Sequence, residues 1–130
     1  MPPIPIGTKG EQRRTVTAEI AVNFLGPENA RVLATPALIM LLEMTARDSI
    51  VPLLEAGYDS VGTEVSVRHL AATPVGMQVT LLSEVIEANA RRVLFKVEAF
   101  DEREKIAEGR HERFIVKVEE FARRVGEKKA

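Results

Sequence analysis

Three side chains in this sequence combine reactivity with a setting that calls for an explanation. Glu43 is a lone carboxylate inside the apolar stretch "VLATPALIMLLEMTARDSIVPLLEAG", residues 32–57. Ile39 and Met40 stand one turn before it and Ala46 one turn after, so desolvation would disfavour its charged form. A carboxylate in such a place can act as nucleophile or general base; its other explanation is an i,i+4 ion pair with Arg47. Thr35 stands eight residues earlier, beside Pro36, where a helix should begin. Its hydroxyl can cap the helix, and it can also donate to negative charge developing beside the free backbone N–H groups there; spacing does not choose between the two roles. Two turns of helix put Thr35 and Glu43 on nearly one side, about a dozen ångströms apart along the axis.

His69 lies in "GTEVSVRHLAA", where alternation places it with Thr63, Val65, Val67 and Ala71 on one strand face and Glu64, Ser66 and Arg68 on the other. The first face is the one expected against the helix. A histidine among valines is either a satisfied core residue or, with Glu43 entering the same layer, part of a functional site. Imidazole titrates near neutrality, which suits proton transfer. A further charged segment, "RHER", carries His111 and Arg113 inside the strand "IAEGRHERFIVKVEEF". Its charge predicts a rim or pocket mouth, where the Arg113 guanidinium would hold phosphate.

Other chemistry is excluded by what the sequence lacks. There is no cysteine, hence no disulfide, thiolate metal site or thiol nucleophile. The two histidines sit in unlike segments with no metal-ligand spacing, and there is no Gly-rich phosphate loop or Gly-x-Ser-x-Gly elbow.

The elements that must position these residues follow from periodicity. "TVTAEIAV" alternates as a half-buried strand, and "NFLGPENARV" reads as a loop. From Pro36 to Leu54 the apolar residues cover most faces of a helical wheel, with Pro52 kinking or ending the regular part and Gly57 stopping it. Four further strands with short connections then form an antiparallel meander. A helix apolar on most faces is covered only if the sheet curls around it and something else covers the remainder. The fold class is α+β, an antiparallel sheet wrapped around one long central helix, the hotdog arrangement.

With 130 residues and 45% hydrophobic content the chain is read as one domain, 1–130, with an N-terminal extension over 1–10 and a charged tail over 122–130. Lys+Arg 18 against Asp+Glu 19 leave no basic surface for nucleic acid, and aromatics at 5% argue against base stacking. The start lacks the apolar core of a signal peptide and the longest apolar run is too short for a bilayer, so a soluble cytoplasmic protein without a membrane partner is expected.

Taken together and in order, "LATPALIMLLEMTA", "VGTEVSVRHLAATPVGMQV" and "GRHERFIV" resemble the hotdog acyl-CoA thioesterases of the fluoroacetyl-CoA thioesterase type, over about residues 11 to 125. That family starts its helix with an Ala-Thr pair, carries a Glu eight residues later, follows with a "GT…H…AATP-G" strand and turn, and has "HER" on the last strand. The resemblance implies that Thr35, Glu43 and His69 are catalytic, that Gly62 and Arg113 lie near the substrate pocket, and that acyl-CoA is hydrolysed without a cofactor. It also implies a homodimer, or a dimer of dimers, with sites at the subunit interface. One departure is that fluoroacetyl-specific members close the pocket with aromatic side chains ahead of the helix, and "GPENARVL" has none. The competing readings are a non-catalytic acyl-CoA-binding hotdog domain and an enoyl-CoA hydratase; hydratases place their acid and His in one loop-helix segment, whereas Glu43 and His69 are 26 positions apart.

Overall fold

Alternating apolar residues in the second half of the chain build the sheet that carries everything else. In the computed structural model, which describes residues 3–129, β4 (Tyr58–His69), β5 (Gln78–Asn89), β6 (Arg92–Phe100) and β7 (Lys105–Lys117) follow α1 (Thr35–Ile50). With β1 (Lys9–Thr15) they form one antiparallel five-stranded sheet in the order β1-β5-β6-β7-β4, while β2 (Ala21–Val22) and β3 (Val32–Leu33) pair separately. The sheet wraps α1 as a hotdog fold, as its sequence pattern implied. Leu38, Leu42, Ala46 and Ile50 of the helix pack with Val79, Leu81, Val85, Val93, Phe95 and Val97 of the sheet. Inward residues recur at every second position on β5 and β6, the period that puts one strand face in the core.

Several expectations change. The strand expected over "TVTAEIAV" is not formed. The chain pairs earlier, over Lys9–Thr15, and residues Ala18–Ile20 make a short 3-10 turn. β1 is an edge strand with charged side chains outward, which hides it from a search for apolar alternation. Its anchor to the helix is polar: the Gln12 side-chain amide donates to the Leu41 carbonyl (3.1 Å) and to Thr45 Oγ1 (2.8 Å). Thr35 is not the N-cap; that position is Ala34, Thr35 is the first helical residue, and no side chain caps the helix. The regular helix ends at Ile50 and passes through a 3-10 turn, Val51–Leu53, centred on Pro52. The extension and tail are partly structured, since residues 9 and 10 belong to β1 and α2 (Val118–Glu127) takes up much of 122–130.

Nor is α1 buried all round within one chain. Leu38, Leu41, Leu42, Ala46 and Ile50 are buried, but Met40 is 64% exposed and Met44 39%. The free edge of β4, exposed from Gly62 to Ser66, is also left uncovered. No helix is long and apolar enough to cross a membrane among the described residues.

β4 carries a bulge that matters for the site. Gly62 pairs with Arg113 and Glu64 with Glu112, so Thr63 is an extra residue, and it turns outward to bond the Glu112 side chain. An extra residue shifts the face on which the following side chains fall, so Ser60 and Gly62 before the bulge and His69 after it all address the helix. Thr63 is therefore not on the inward face that strict alternation assigned to it. The β4–β7 pairing is held close by Gly109, where an added Cβ would lie 2.0 Å from the Ser66 carbonyl oxygen. Gly109→Ala should cost roughly 1–3 kcal/mol and lower Tm by roughly 5–10 °C; an unchanged Tm in a thermal melt would contradict this account of the β4 placement.

Candidate active site

The residues named from the sequence gather in two groups, one at each end of the first two turns of α1. At its start, Thr35 Oγ1 lies 2.8 Å from His69 Nδ1. The hydroxyl freed from capping thus meets the imidazole. His69 Nε2 is buried without a hydrogen-bond partner, so one nitrogen of the ring is engaged and the other has no well-formed hydrogen bond within the chain. Burial pushes the His69 pKa down from its ordinary value, with the Ala71 backbone partly opposing. Beside the pair is an open depression of about 470 Å³. Val22, Phe24, Leu25, Leu33 and Leu70 help to line it. The lack of aromatics in "GPENARVL" therefore does not leave this recess without one: Phe24, just before that segment, stands at it, 78% exposed.

At the other group, Glu43 faces β4 and β7. Its Oε2 is 3.5 Å from Arg113 Nη1 and 3.9 Å from His111 Nε2. Arg113 donates from Nε to Ser60 Oγ (2.7 Å) and from Nη2 to the Ser60 carbonyl (2.7 Å). Its Nη1 donates to His111 Nε2 (3.1 Å), and His111 Nδ1 meets the Glu64 carbonyl at 2.9 Å. His111 and Arg113 are 2% and 6% exposed, so the rim position expected for "RHER" is wrong: alternation turns these two inward and leaves Arg110 and Glu112 outward. Gly62 is the floor of this group. A Cβ there would meet Glu43 Oε2 at 2.8 Å and His111 Cε1 at 3.1 Å.

Three expectations about Glu43 are thereby revised. Its side chain is 36% exposed, so it is not a desolvated carboxylate in an apolar wall. It does not pair with Arg47, whose guanidinium instead bonds Asp59 and Asp48 and holds the Asp59 carboxyl below the usual carboxylate range. And among the described residues no hydrogen bond or ion pair joins Glu43 to His69 within the chain; Thr35 is with His69, and Glu43 with Gly62, His111 and Arg113. His111 was the residue missed as a partner of Glu43. The period-two alternation with Arg113 was the available signal, overridden by the segment's charge. No group of three His, Cys, Asp or Glu side chains suited to a metal ion occurs among the described residues.

Two predictions follow from this geometry. In Gly62→Ala the flexible end of Glu43 yields and the His111 ring must give by a few tenths of an ångström, so the protein should still fold, with a lowered Tm, while kcat falls roughly tenfold or more, the scale set when a group beside the chemistry is displaced. Unchanged kcat would show that the position of Glu43 at this floor is immaterial. The second concerns pH. Burial lowers both histidine pKa values from 6.5, with the Glu64 carbonyl opposing and the Arg113 charge adding to the shift at His111. The unfolded chain therefore binds more protons at these rings than the folded one. Their contribution to stability is full above the unfolded value and declines as pH falls toward the lowered folded values. Urea midpoints should drop between about pH 7.5 and about pH 5.5; an equal or higher midpoint on the acid side would contradict this.

Comparison with known proteins identifies the family. Residues 16–119 match the family described as fluoroacetyl-CoA-specific thioesterase. The chain is 37% identical over 101 residues, 78% of its length and 73% of the relative's, to the fluoroacetyl-CoA thioesterase of Streptantibioticus cattleyicolor. A solved structure of a variant of the fluoroacetyl-CoA enzyme FlK in complex with acetyl-CoA superimposes with a TM-score of 0.89 at 31% identity, covering 98% of this chain and 100% of that one. A thioesterase superfamily member from Thermus thermophilus superimposes with a TM-score of 0.86 at 35% identity, covering 98% and 97%. The chain belongs to the fluoroacetyl-CoA-specific thioesterase family, a family of acyl-CoA thioesterases.

Proposed function

We propose that this protein hydrolyses an acyl-CoA thioester to the free acid and CoA, using Glu43, Thr35 and His69, in a site completed by a second copy of the chain. The observation that carries the reading is the division of the reactive groups. Thr35 and His69 form one hydrogen-bonded pair, Glu43 belongs to a separate cluster, and both border surface that one chain leaves uncovered: the Met40–Met44 stripe and the free edge of β4. A two-fold dimer across that edge covers the apolar stripe and lets the Glu43 cluster of one subunit face the Thr35–His69 pair of the other. The binding of acetyl-CoA by the related FlK variant supports a CoA ester as the ligand class.

The chemistry divides accordingly. Water adds across the thioester: the carbon–sulfur bond breaks, a carbon–oxygen bond forms, and the sulfur leaves with a proton. Glu43 is the only member of the three that is a carboxylate, and it attacks the carbonyl carbon or takes the proton of an attacking water. With His69 Nδ1 carrying the ring hydrogen and donating to Thr35 Oγ1, the Thr35 hydroxyl keeps its own hydrogen and joins the N–H groups at the start of α1 in stabilising the negative charge that develops on the carbonyl oxygen. His69, neutral because burial lowers its pKa, relays the proton that ends on the sulfur. Arg113 keeps Glu43 in place; being buried, it is not a phosphate ligand at the pocket mouth.

Thiol release from a panel of short acyl-CoA esters tests the reaction. Glu43→Gln should lower kcat on the order of a hundredfold or more in a folded protein, and near-normal turnover would remove Glu43 from the mechanism. The shared site has its own test. Light scattering should give at least twice the 14.4 kDa chain, and co-expressing inactive Glu43→Gln with inactive His69→Ala should restore about a quarter of wild-type activity, from the one intact site in each mixed dimer. A mixture as inactive as its parts would place each site within one chain.

A further inference from the structure

Arg113 has a geometry that its own strand does not impose. A guanidinium on a flexible side chain swings about its last torsions unless its donors are fixed. Two donors, Nε and Nη2, go to Ser60. The third nitrogen, Nη1, is the one that faces Glu43 Oε2, and its hydrogen-bond partner is the ring of His111.

The proton positions on that ring follow from its partners. A carbonyl oxygen only accepts, so Nδ1, 2.9 Å from the Glu64 carbonyl, carries the hydrogen. An arginine nitrogen only donates, so Nε2, 3.1 Å from Arg113 Nη1, presents its lone pair. His111 is thereby the neutral Nδ1–H tautomer, locked at both ends. The ring is 2% exposed, stacked on Phe95 at 6.2 Å between centroids and 24° between planes. The Glu64 carbonyl that anchors it belongs to the first paired residue beyond the β4 bulge, so the bulge, the ring and the guanidinium form one chain of fixed parts ending at Glu43.

We propose that His111 is a positioning residue for thioester hydrolysis: as a neutral acceptor anchored to the Glu64 carbonyl, it holds Arg113 Nη1 toward Glu43 and so sets where the reactive carboxylate sits. It touches neither substrate nor reacting atoms in this role and acts through Arg113. The inference rests on Glu43 being the reactive carboxylate.

Two substitutions and one spectrum test it. His111→Leu keeps an apolar filling against Phe95 but removes the acceptor, and should lower kcat about tenfold or more with KM changed by less than about threefold, the pattern of a lost transition-state arrangement. His111→Gln restores an amide oxygen near the Nε2 position and should recover most of that loss, although its packing on Phe95 is no better than that of leucine. In the wild type, ring ¹⁵N shifts should report a hydrogen on Nδ1 and a bare Nε2 at neutral pH. Wild-type turnover in a folded His111→Leu protein, equal impairment of the leucine and glutamine variants, or a hydrogen on Nε2 would each overturn the proposal. Failure of the functional reading looks different: the wild type itself would release no thiol, or Glu43→Gln would turn over normally.

Discussion

The site depends on one constraint: a guanidinium has been placed inside the sheet and helix, and every donor it carries must be answered. Removing a charge from water costs several kcal/mol unless it is paired and hydrogen-bonded. Arg113, 6% exposed, meets that cost with Ser60 on the neighbouring strand, His111 two residues away on its own strand, and the carboxylate of Glu43 across from the helix. Each answer fixes a further residue. Ser60 must face inward, Gly62 must lack a side chain because Glu43 and His111 approach its α-carbon, and Glu64 must offer its carbonyl to His111. The bulge at Thr63 satisfies these demands while still delivering His69 to the helix face nine residues after Ser60.

The helix performs the second half of the arrangement by being a ruler. Thr35 and Glu43 are about a dozen ångströms apart along its axis, and each meets a different strand partner: Thr35 the end of β4, Glu43 the buried pair on β7. Within one chain this separation keeps the carboxylate from ion-pairing with the imidazole. It also leaves each group beside uncovered surface, Met40 and Met44 on the helix and the free edge of β4 on the sheet.

How much of this was legible in the sequence differs with the physics involved. The apolar alternation of β5 and β6 and the apolar run of α1 are large signals, and so the sheet, the helix and their order could be read directly. β1 could not: its stabilisation is a ladder of backbone bonds to β5 and the reach of Gln12 to the helix, and neither leaves an apolar period. The Thr35–Pro36 start was correctly located but misassigned by one position, because a threonine beside a proline has the same composition whether it caps the helix or begins it. For "RHER" the charge predicts the outside, whereas the structure follows the strand's alternation, because His111 and Arg113 answer one another. A bulge is invisible to any counting of alternate residues, which is why Thr63 fell on the wrong face.

The carboxylate at the centre of the problem is best understood through the asymmetry of its partnership. Arg113 is bonded to Ser60 through two nitrogens and to His111 through the third, so it stays where it is whether or not Glu43 is charged. Among the described residues Glu43 has no such second anchor. Its side chain is 36% exposed, and its 3.5 Å separation from Arg113 Nη1 is longer than a well-formed charged hydrogen bond. It sits in the field of a fixed positive charge without being clamped by it. A carboxylate clamped by a bidentate guanidinium would have both oxygens occupied. Held at a longer distance, Glu43 keeps an oxygen available for an incoming carbonyl or water, while the immobile guanidinium beneath it keeps the side chain from wandering. This is why a polar residue in a mostly apolar helix is tolerated: the cost of burial falls on Arg113, which the sheet satisfies, and the helix carries only the partly hydrated end of the pair.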